Sequence, residues 1–381
     1  MTPDVLNNHI RAIARELLFL LSKHNFGVKP IGSRQNAFKQ GFAIRIRNHG
    51  SFSLTAENRI DNIKEFEQII GKSVHIFVAH VDEGIRLRHI LPNHPIHILN
   101  GLYEGAEQAF TEYNLSPVLG SLHEVALWKR FCTDTPRPCD LHIDTGMLRL
   151  GLPPNELAEV ADDPGLIAGL DIQLVLSHLA SADDSTSQQN AEQLTAFNRA
   201  RKIVPQGRAS FCNSSGVFLG SEYHFDLGRP GVALYGANPI PDQPNPMQAT
   251  VSLKTRISQV RNADVPEHVG YNATYAVSRP MRVATVPVGY ADGILRSLSN
   301  RSCGYIGNHR VPLIGRVSMD LITFDVSDVP QDQAHPGQWI EMIGTHHTVD
   351  DMARDADTIG YEILTSLGRR YHRVYKGGDD V

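Results

Sequence analysis

From residue 74 onward, short apolar runs alternate with stretches whose apolar residues recur every three or four positions. The runs are "VHIFVA" (74–79), "PIHIL" (95–99), "SPVLG" (116–120), "DLHID" (140–144), "IQLVLSH" (172–178), "ASFCN" (209–213) and "RPGVALY" (229–235). Between them lie helix-like stretches such as "DEGIRLRHIL", "LHEVALWKRF" and "SQQNAEQLTAFNRARKIV". Strand–helix alternation predicts parallel strands joined by crossover helices. Seven strands are one short of a (β/α)8 barrel, and a doubly wound open sheet is the rival arrangement. At the N-terminus, Leu6, Ile10, Ile13, Leu17 and Leu21 fall on one face of an expected amphipathic helix.

The pattern changes after the proline-rich "PIPDQPNPMQA" (239–249), which reads as a linker. Beyond it come strand-like runs without intervening helices: "VSLKTRISQV", "RVATVPVGY", "RVPLIGRV", "LITFDV" and "QWIEMIG". These predict a mostly β second unit, closed by one last helix over "ADTIGYEILTSLGRRY" (356–371). The expected division is a barrel unit over 1–240 and a β unit over 241–381.

Composition narrows the classes. The chain has 381 residues, 41% of them hydrophobic, and a formal charge of −5. It carries no basic block of the kind that grips nucleic acid and no apolar run of membrane-spanning length. Cys132, Cys139, Cys212 and Cys303 are scattered, which suggests a reducing cytoplasm and argues against both a disulfide framework and a zinc site. No histidine spacing suggests a metal site, and His346–His347 reads as a solvated loop.

In a β/α barrel the strand ends carry the chemistry, and here they collect polar residues. "HIDTGMLRLG" brings Asp144 and Arg149, "SHLASADD" brings Ser177 and His178, and "CNSSG" brings Asn213, Ser214 and Ser215. "GRPGV" brings Arg229 and the backbone amides of Gly231 and Val232. Ser214 and those two amides form a candidate phosphate cradle. Arg229 lies in the almost wholly apolar "FDLGRPGVALYG", and a guanidinium is expensive to bury without a partner.

Over roughly residues 74 to 376 these motifs, with "VGYNATY", "VPVGYADGILRSLS", "VPLIGRVSMDLITFDVSD" and "TIGYEILTSLGRRYHRVY", resemble the alanine racemases. Those enzymes use pyridoxal 5′-phosphate (PLP). The resemblance implies a barrel plus a C-terminal β domain. It also implies interconversion of L- and D-alanine through a PLP aldimine, supplying D-alanine for peptidoglycan, and a cytoplasmic homodimer with shared active sites. By that resemblance, Arg229 faces the pyridine nitrogen of the cofactor and keeps it unprotonated, and His178 hydrogen-bonds Arg229. Tyr271 moves the proton on one face of the substrate α-carbon. Arg149 binds the substrate carboxylate, as its forked donors suit, and Met319 contributes its backbone amide there. Ser214 and Tyr361 contact the phosphate, and Tyr290 stands at the substrate entrance. Where some relatives carry a modified lysine, this chain has His142.

The resemblance fails over residues 24–72. The family's first barrel strand should end in a lysine that holds the cofactor and moves the proton opposite Tyr271. No lysine lies between Lys39 and Lys64, and "FAIRIR" (42–47) puts Arg45 and Arg47 on one face, a poor fit for a strand covered on both sides. Lys29 in "FGVKPIG" is the nearest local match. The foreign segment suggests a disrupted reading frame. It also predicts an unclosed barrel, weak PLP binding and little racemisation, so a catalytically impaired PLP-binding relative is the alternative. A related racemase or decarboxylase for another amino acid is a further reading.

Overall fold

The computed structural model describes residues 41–45, 74–89, 91–132 and 135–374. Eight parallel strands form one curled sheet: β1 (Gly41–Arg45), β2 (Val74–Val78), β3 (Ile96–Ile98), β4 (Ser116–Leu119), β5 (Pro138–His142), β6 (Asp171–Leu176), β7 (Arg208–Ser210) and β8 (Leu227–Gly228). The order across the sheet is β7-β6-β5-β4-β3-β2-β1-β8. Crossover helices α1 (Val81–Arg88), α2 (Glu107–Glu112), α3 (Leu122–Phe131), α4 (Pro154–Asp162) and α5 (Gln188–Ile203) connect them. Ser121 starts α3 by accepting the Glu124 amide on its hydroxyl at 3.2 Å, an ordinary N-cap.

The sheet closes on itself. Ser210 on β7 bridges Phe225, and its hydroxyl donates to the Leu227 carbonyl at 2.7 Å. Inside, Phe77, Val118, Leu174, Leu176 and Leu227 pack in one cluster. Outside, helix faces bury a larger core that includes Trp128, Phe110 and Phe197.

Residues Gly41–Arg45 correct one expectation. They are a barrel strand, laddered to β2 (Phe42 opposite Val74, Arg45 opposite Phe77) and to β8 (Gly41 opposite Leu227). Backbone pairing on both sides supplies the eighth strand that the pattern lacked, so the barrel is not left open there. The N-terminal helix, Lys29, Arg47 and the rest of 24–72 lie outside the described residues.

The second unit is a seven-stranded antiparallel sheet with a small hairpin. Its strands are β9 (Leu253–Arg256), β10 (Gln259–Ala263), β11 (His268–Val269), β12 (Tyr275–Ala276), β13 (Met281–Val286), β14 (Cys303–Ile306), β15 (His309–Ile314), β16 (Ile322–Asp325) and β17 (Trp339–Ile343). The main order is β10-β13-β16-β15-β14-β17-β9, and β11 pairs with β12. Helices α6 (Val349–Ala356) and α7 (Gly360–Ser366) follow. Thr348 and Asp351 cap α6 reciprocally.

Three further expectations are corrected. "RPGVALY" is not a strand: Pro230 has no N–H for a ladder, β8 ends at Gly228, and Val232–Tyr235 coils into a 3-10 turn. The last helix is shorter than 356–371: α7 covers only Gly360–Ser366, and Asp357, left-handed (φ 59°), separates it from α6, which precedes the expected range. His347 is buried rather than solvated, with Nδ1 at 2.9 Å from the Met342 carbonyl and Nε2 at 3.1 Å from Asp355.

Phe197 on α5 is fully buried, stacked on Phe211 at 4.8 Å and edge-on to Phe225 at 5.0 Å. Phe197→Ala should therefore cost about 3–5 kcal/mol in urea unfolding. A loss under about 1 kcal/mol would show that this aromatic layer does not hold the helix to the barrel.

Candidate active site

A cavity of about 750 Å³ opens at the C-terminal ends of the barrel strands. Phe77 and Leu99 form part of its apolar wall, and residues around Asp350–Tyr361 of the second unit close one side. The cavity brings together seven of the expected site residues: Arg149, His178, Ser214, Arg229, Gly231, Val232 and Tyr361.

Arg229 follows β8 and points back across the barrel seam. Its guanidinium donates to Ser210 Oγ at 2.5 Å, to the Phe211 carbonyl at 3.4 Å and to the Ser177 carbonyl. It is buried, yet it lines the cavity. Nearby, Ser214 Oγ accepts the amides of Gly231 at 2.7 Å and Ala233 at 3.3 Å. The second amide bonded to Ser214 is thus that of Ala233. Ser214, Ser215, Gly231 and Val232 make a small polar concavity of the sort that holds a phosphate. Tyr361 enters from the first turn of α7, where Gly360 permits a close approach: a Cβ there would lie 3.1 Å from that of Ala237.

Arg149 sits on the loop after β5, and Asp144 organises that loop. Its Oδ1 accepts the amides of Gly146, Met147 and Leu148 at 2.9–3.2 Å. The loop folds back so that Leu152 bonds the His142 carbonyl. Only glycine fits at 151, with φ +112° and a virtual Cβ 2.6 Å from the Asp144 nitrogen. Arg149 is presented, exposed, at the cavity rim.

His142 ends β5 and lines the same cavity. Burial first, and then the Arg229 guanidinium, push its pKa down to about 3. It is therefore a neutral imidazole placed between two arginines.

Tyr271, Tyr290 and Met319 do not line this cavity. All three are exposed on the second unit, at 68%, 45% and 54%. The Tyr290 and Met319 loops interlock: the Tyr290 amide bonds the Ser318 carbonyl, and the Ala291 amide bonds that of Met319. Arg370 ties the same loops through Asp292 at 3.1 Å and Asp320 at 2.7 Å. Asn272, beside Tyr271, is left-handed (φ 59°), a conformation asparagine tolerates better than most residues. Among the described residues the lysines are Lys129, Lys202 and Lys254, none of which lines the cavity. Strand β1 itself reads Gly-Phe-Ala-Ile-Arg.

Residues 66–239 match the model of the alanine racemase N-terminal domain, and residues 250–375 match that of the C-terminal domain. A curated alanine racemase from Rhodospirillum rubrum is 48% identical over 303 residues, 79% of this chain and 81% of that protein. The chain belongs to the alanine racemase family. A relative from Rickettsia bellii, also named alanine racemase, is 44% identical over 79% of this chain and 74% of its own length. The crystal structure of the alanine racemase from Bartonella henselae, with covalently bound pyridoxal phosphate, superposes with a TM-score of 0.84. It is 34% identical, over 96% of this chain and 97% of its own.

Sequence reading missed Phe77, Leu99 and the 350–360 segment as cavity walls. The apolar residues look like any core position. The Asp350 carboxylate, which accepts the Asn238 amide at 3.0 Å, joins the α6–α7 segment to the cavity across 112 residues of sequence.

Two histidines, the buried His142 and the half-buried His75, give this unit an acid limit. His142 and His75 both titrate at about 3 when folded, against about 6.5 unfolded. The folded pKa is depressed, so their contribution is present above about 6.5 and is lost as pH falls towards 3. Between pH 7.5 and 5.5 each should remove about 1.4 kcal/mol of unfolding free energy. His142→Gln should abolish its share of that decline in urea titrations at the two pH values. An unchanged slope would show that His142 is not buried neutral.

Proposed function

We propose that this chain is a PLP-dependent alanine racemase, in which the barrel cavity holds the cofactor and a second copy of the chain completes the site. The observation that carries this is the convergence of Arg229, the Ser214–Gly231–Val232 concavity and the Arg149 rim on one cavity. The residues present fit the group. The concavity offers a hydroxyl and backbone amides to a phosphate, the cavity volume suits a cofactor of this size, and the buried Arg229 cation, which lines the cavity, would meet its ring. PLP, when bound, withdraws electrons from the substrate α-carbon and so makes its proton removable.

The chain's own residues have distinct tasks in this reading. Ser214, Tyr361 and the amides of Gly231 and Val232 anchor the phosphate. Arg229, with His178 beside it, presents a permanent positive charge to the ring nitrogen and keeps that nitrogen unprotonated. Arg149 orients the substrate carboxylate with two parallel donors, assisted by the Met319 amide. Tyr271 holds and returns the α-proton on one face, and Tyr290 narrows the approach to a substrate as small as alanine. Tyr271, Tyr290 and Met319 are exposed together on the second unit of their own chain. Exposed aromatic and apolar groups of this kind mark an interface, which supports a homodimer that places them over the partner's cavity. We place the division between the units at 240/241, between the barrel sheet and β9. A role in supplying D-alanine for peptidoglycan, in the cytoplasm, belongs to the same reading.

Lys29 is the residue we assign to the face opposite Tyr271. One observation favours the second reading, a PLP-binding relative with impaired chemistry: β1 carries no lysine.

Two experiments test these roles. Tyr271→Phe should make solvent deuterium exchange into the two alanine enantiomers unequal, by an order of magnitude or more; equal rates would remove Tyr271 from a one-face role. Borohydride reduction after PLP addition, followed by peptide mapping, should label Lys29 in a chain that racemises alanine. Bound PLP with no label and no turnover leaves the impaired relative as the correct reading.

A further inference from the structure

The barrel holds a second group of polar side chains, one layer below the cavity, that runs from the half-buried Arg208 and His75 to the buried His97 and Asp140. Arg208 on β7 lies 3.3 Å from His75 Nε2. His75 Nδ1 lies 2.8 Å from His97 Nε2, and His97 Nδ1 lies 2.5 Å from Asp140 Oδ2. The four residues come from β7, β2, β3 and β5. His97 and Asp140 are almost completely buried.

The ends of this series fix its middle. Arginine can only donate, and a carboxylate can only accept. His75 Nε2 must therefore accept, which leaves the His75 proton on Nδ1, where it donates to His97 Nε2. The His97 proton is then on Nδ1 and donates to Asp140. A protonated His97, or a neutral Asp140 acting as donor, would force His75 to carry its proton on Nε2, facing the guanidinium. Burial, His97 and Arg208 also keep His75 neutral by lowering its pKa to about 3.

The series touches the cavity through one ring. His97 stacks on Phe77 at 4.5 Å and 14°, and Phe77 lines the cavity. On its other side the His97 hydrogen bonds hold it against rotation. We propose that Arg208, His75, His97 and Asp140 form a one-way hydrogen-bond relay whose role is to position Phe77 as the cavity floor. These are positioning residues, since none of them lines the cavity itself. The relay gives buried charge a use that an apolar barrel layer would lack: it sets one rotamer and one ring plane beneath the ligand.

The assignment rests on the PLP reading for its ligand but not for its geometry, so the two are tested separately. In selectively 15N-histidine-labelled full-length protein at pH 7, His75 and His97 should both be neutral Nδ1–H tautomers. An Nε2–H tautomer or an imidazolium at either position overturns the relay. The floor is tested by PLP titration of the double variant His97→Leu/Asp140→Leu, which removes the buried charge with the stacked ring. Its affinity for PLP should fall by about threefold or more, and His97→Phe/Asp140→Leu, which restores a ring, should recover it. Unchanged affinity in the folded leucine variant overturns the positioning role. Should that variant not fold, Phe77→Leu reads the same floor with the relay intact, and unchanged affinity there overturns it as well. Failure of the wild-type chain to bind PLP would instead count against the proposed function, while the tautomer measurement still decides the relay.

Discussion

The guanidinium of Arg229 is where the barrel closes and where the site begins. Burying that charge is costly unless its donors are satisfied. They are satisfied by three groups on two neighbouring segments: the Ser210 hydroxyl and the Phe211 carbonyl at the end of β7, and the Ser177 carbonyl at the end of β6. Ser210 in turn donates to the Leu227 carbonyl on β8. The chain of bonds fastens the last strand to β7 and β6, so the seam of the sheet and the orientation of the cation are one structural fact. The short Leu227–Gly228 strand can end there because Arg229 continues the attachment through its side chain.

The path of the chain beyond Arg229 depends on that ending. Pro230 stops the ladder and Gly231 turns the chain, so the next backbone amides face Ser214 rather than a neighbouring strand. A longer β8 would commit those amides to sheet pairing. The concavity exists because the strand is too short to use them.

The same ending explains why some parts of the molecule were legible in the sequence and others were not. Strands β2 to β7 are apolar runs of the right length between helical patterns, and their polar ends announced most of the cavity residues. The Arg229 segment was legible as chemistry but misread as a strand, since Val232–Tyr235 is as apolar as any barrel strand and only local hydrogen bonding makes it a turn. Strand β1 was misjudged because Arg45 and Arg47 on one face of "FAIRIR" fit poorly in a strand covered on both sides, whereas backbone pairing on both sides places Gly41–Arg45 in the sheet. His347 looked like half of a polar pair in a loop, yet it is held by the Met342 carbonyl and Asp355. The relay was illegible: Arg208 and His75 stand 133 residues apart, and nothing local distinguishes either from a surface residue.

The two ends of the barrel interior show what separates a site from a structural network. Beneath the cavity, one donor-only group, two imidazoles and one acceptor-only group form a directed series, and each imidazole nitrogen has its partner within the protein. At the top, the polar groups differ in kind. His142 is kept neutral between Arg149 and Arg229, so it adds no third charge to a place that already presents two guanidiniums. The hydroxyl of Ser214 and the amides around it are oriented by one another rather than by a charge. An anionic phosphate at one end and a carboxylate at the other would complete that arrangement, and no anionic group is needed in the barrel layer below, where Asp140 already terminates the series.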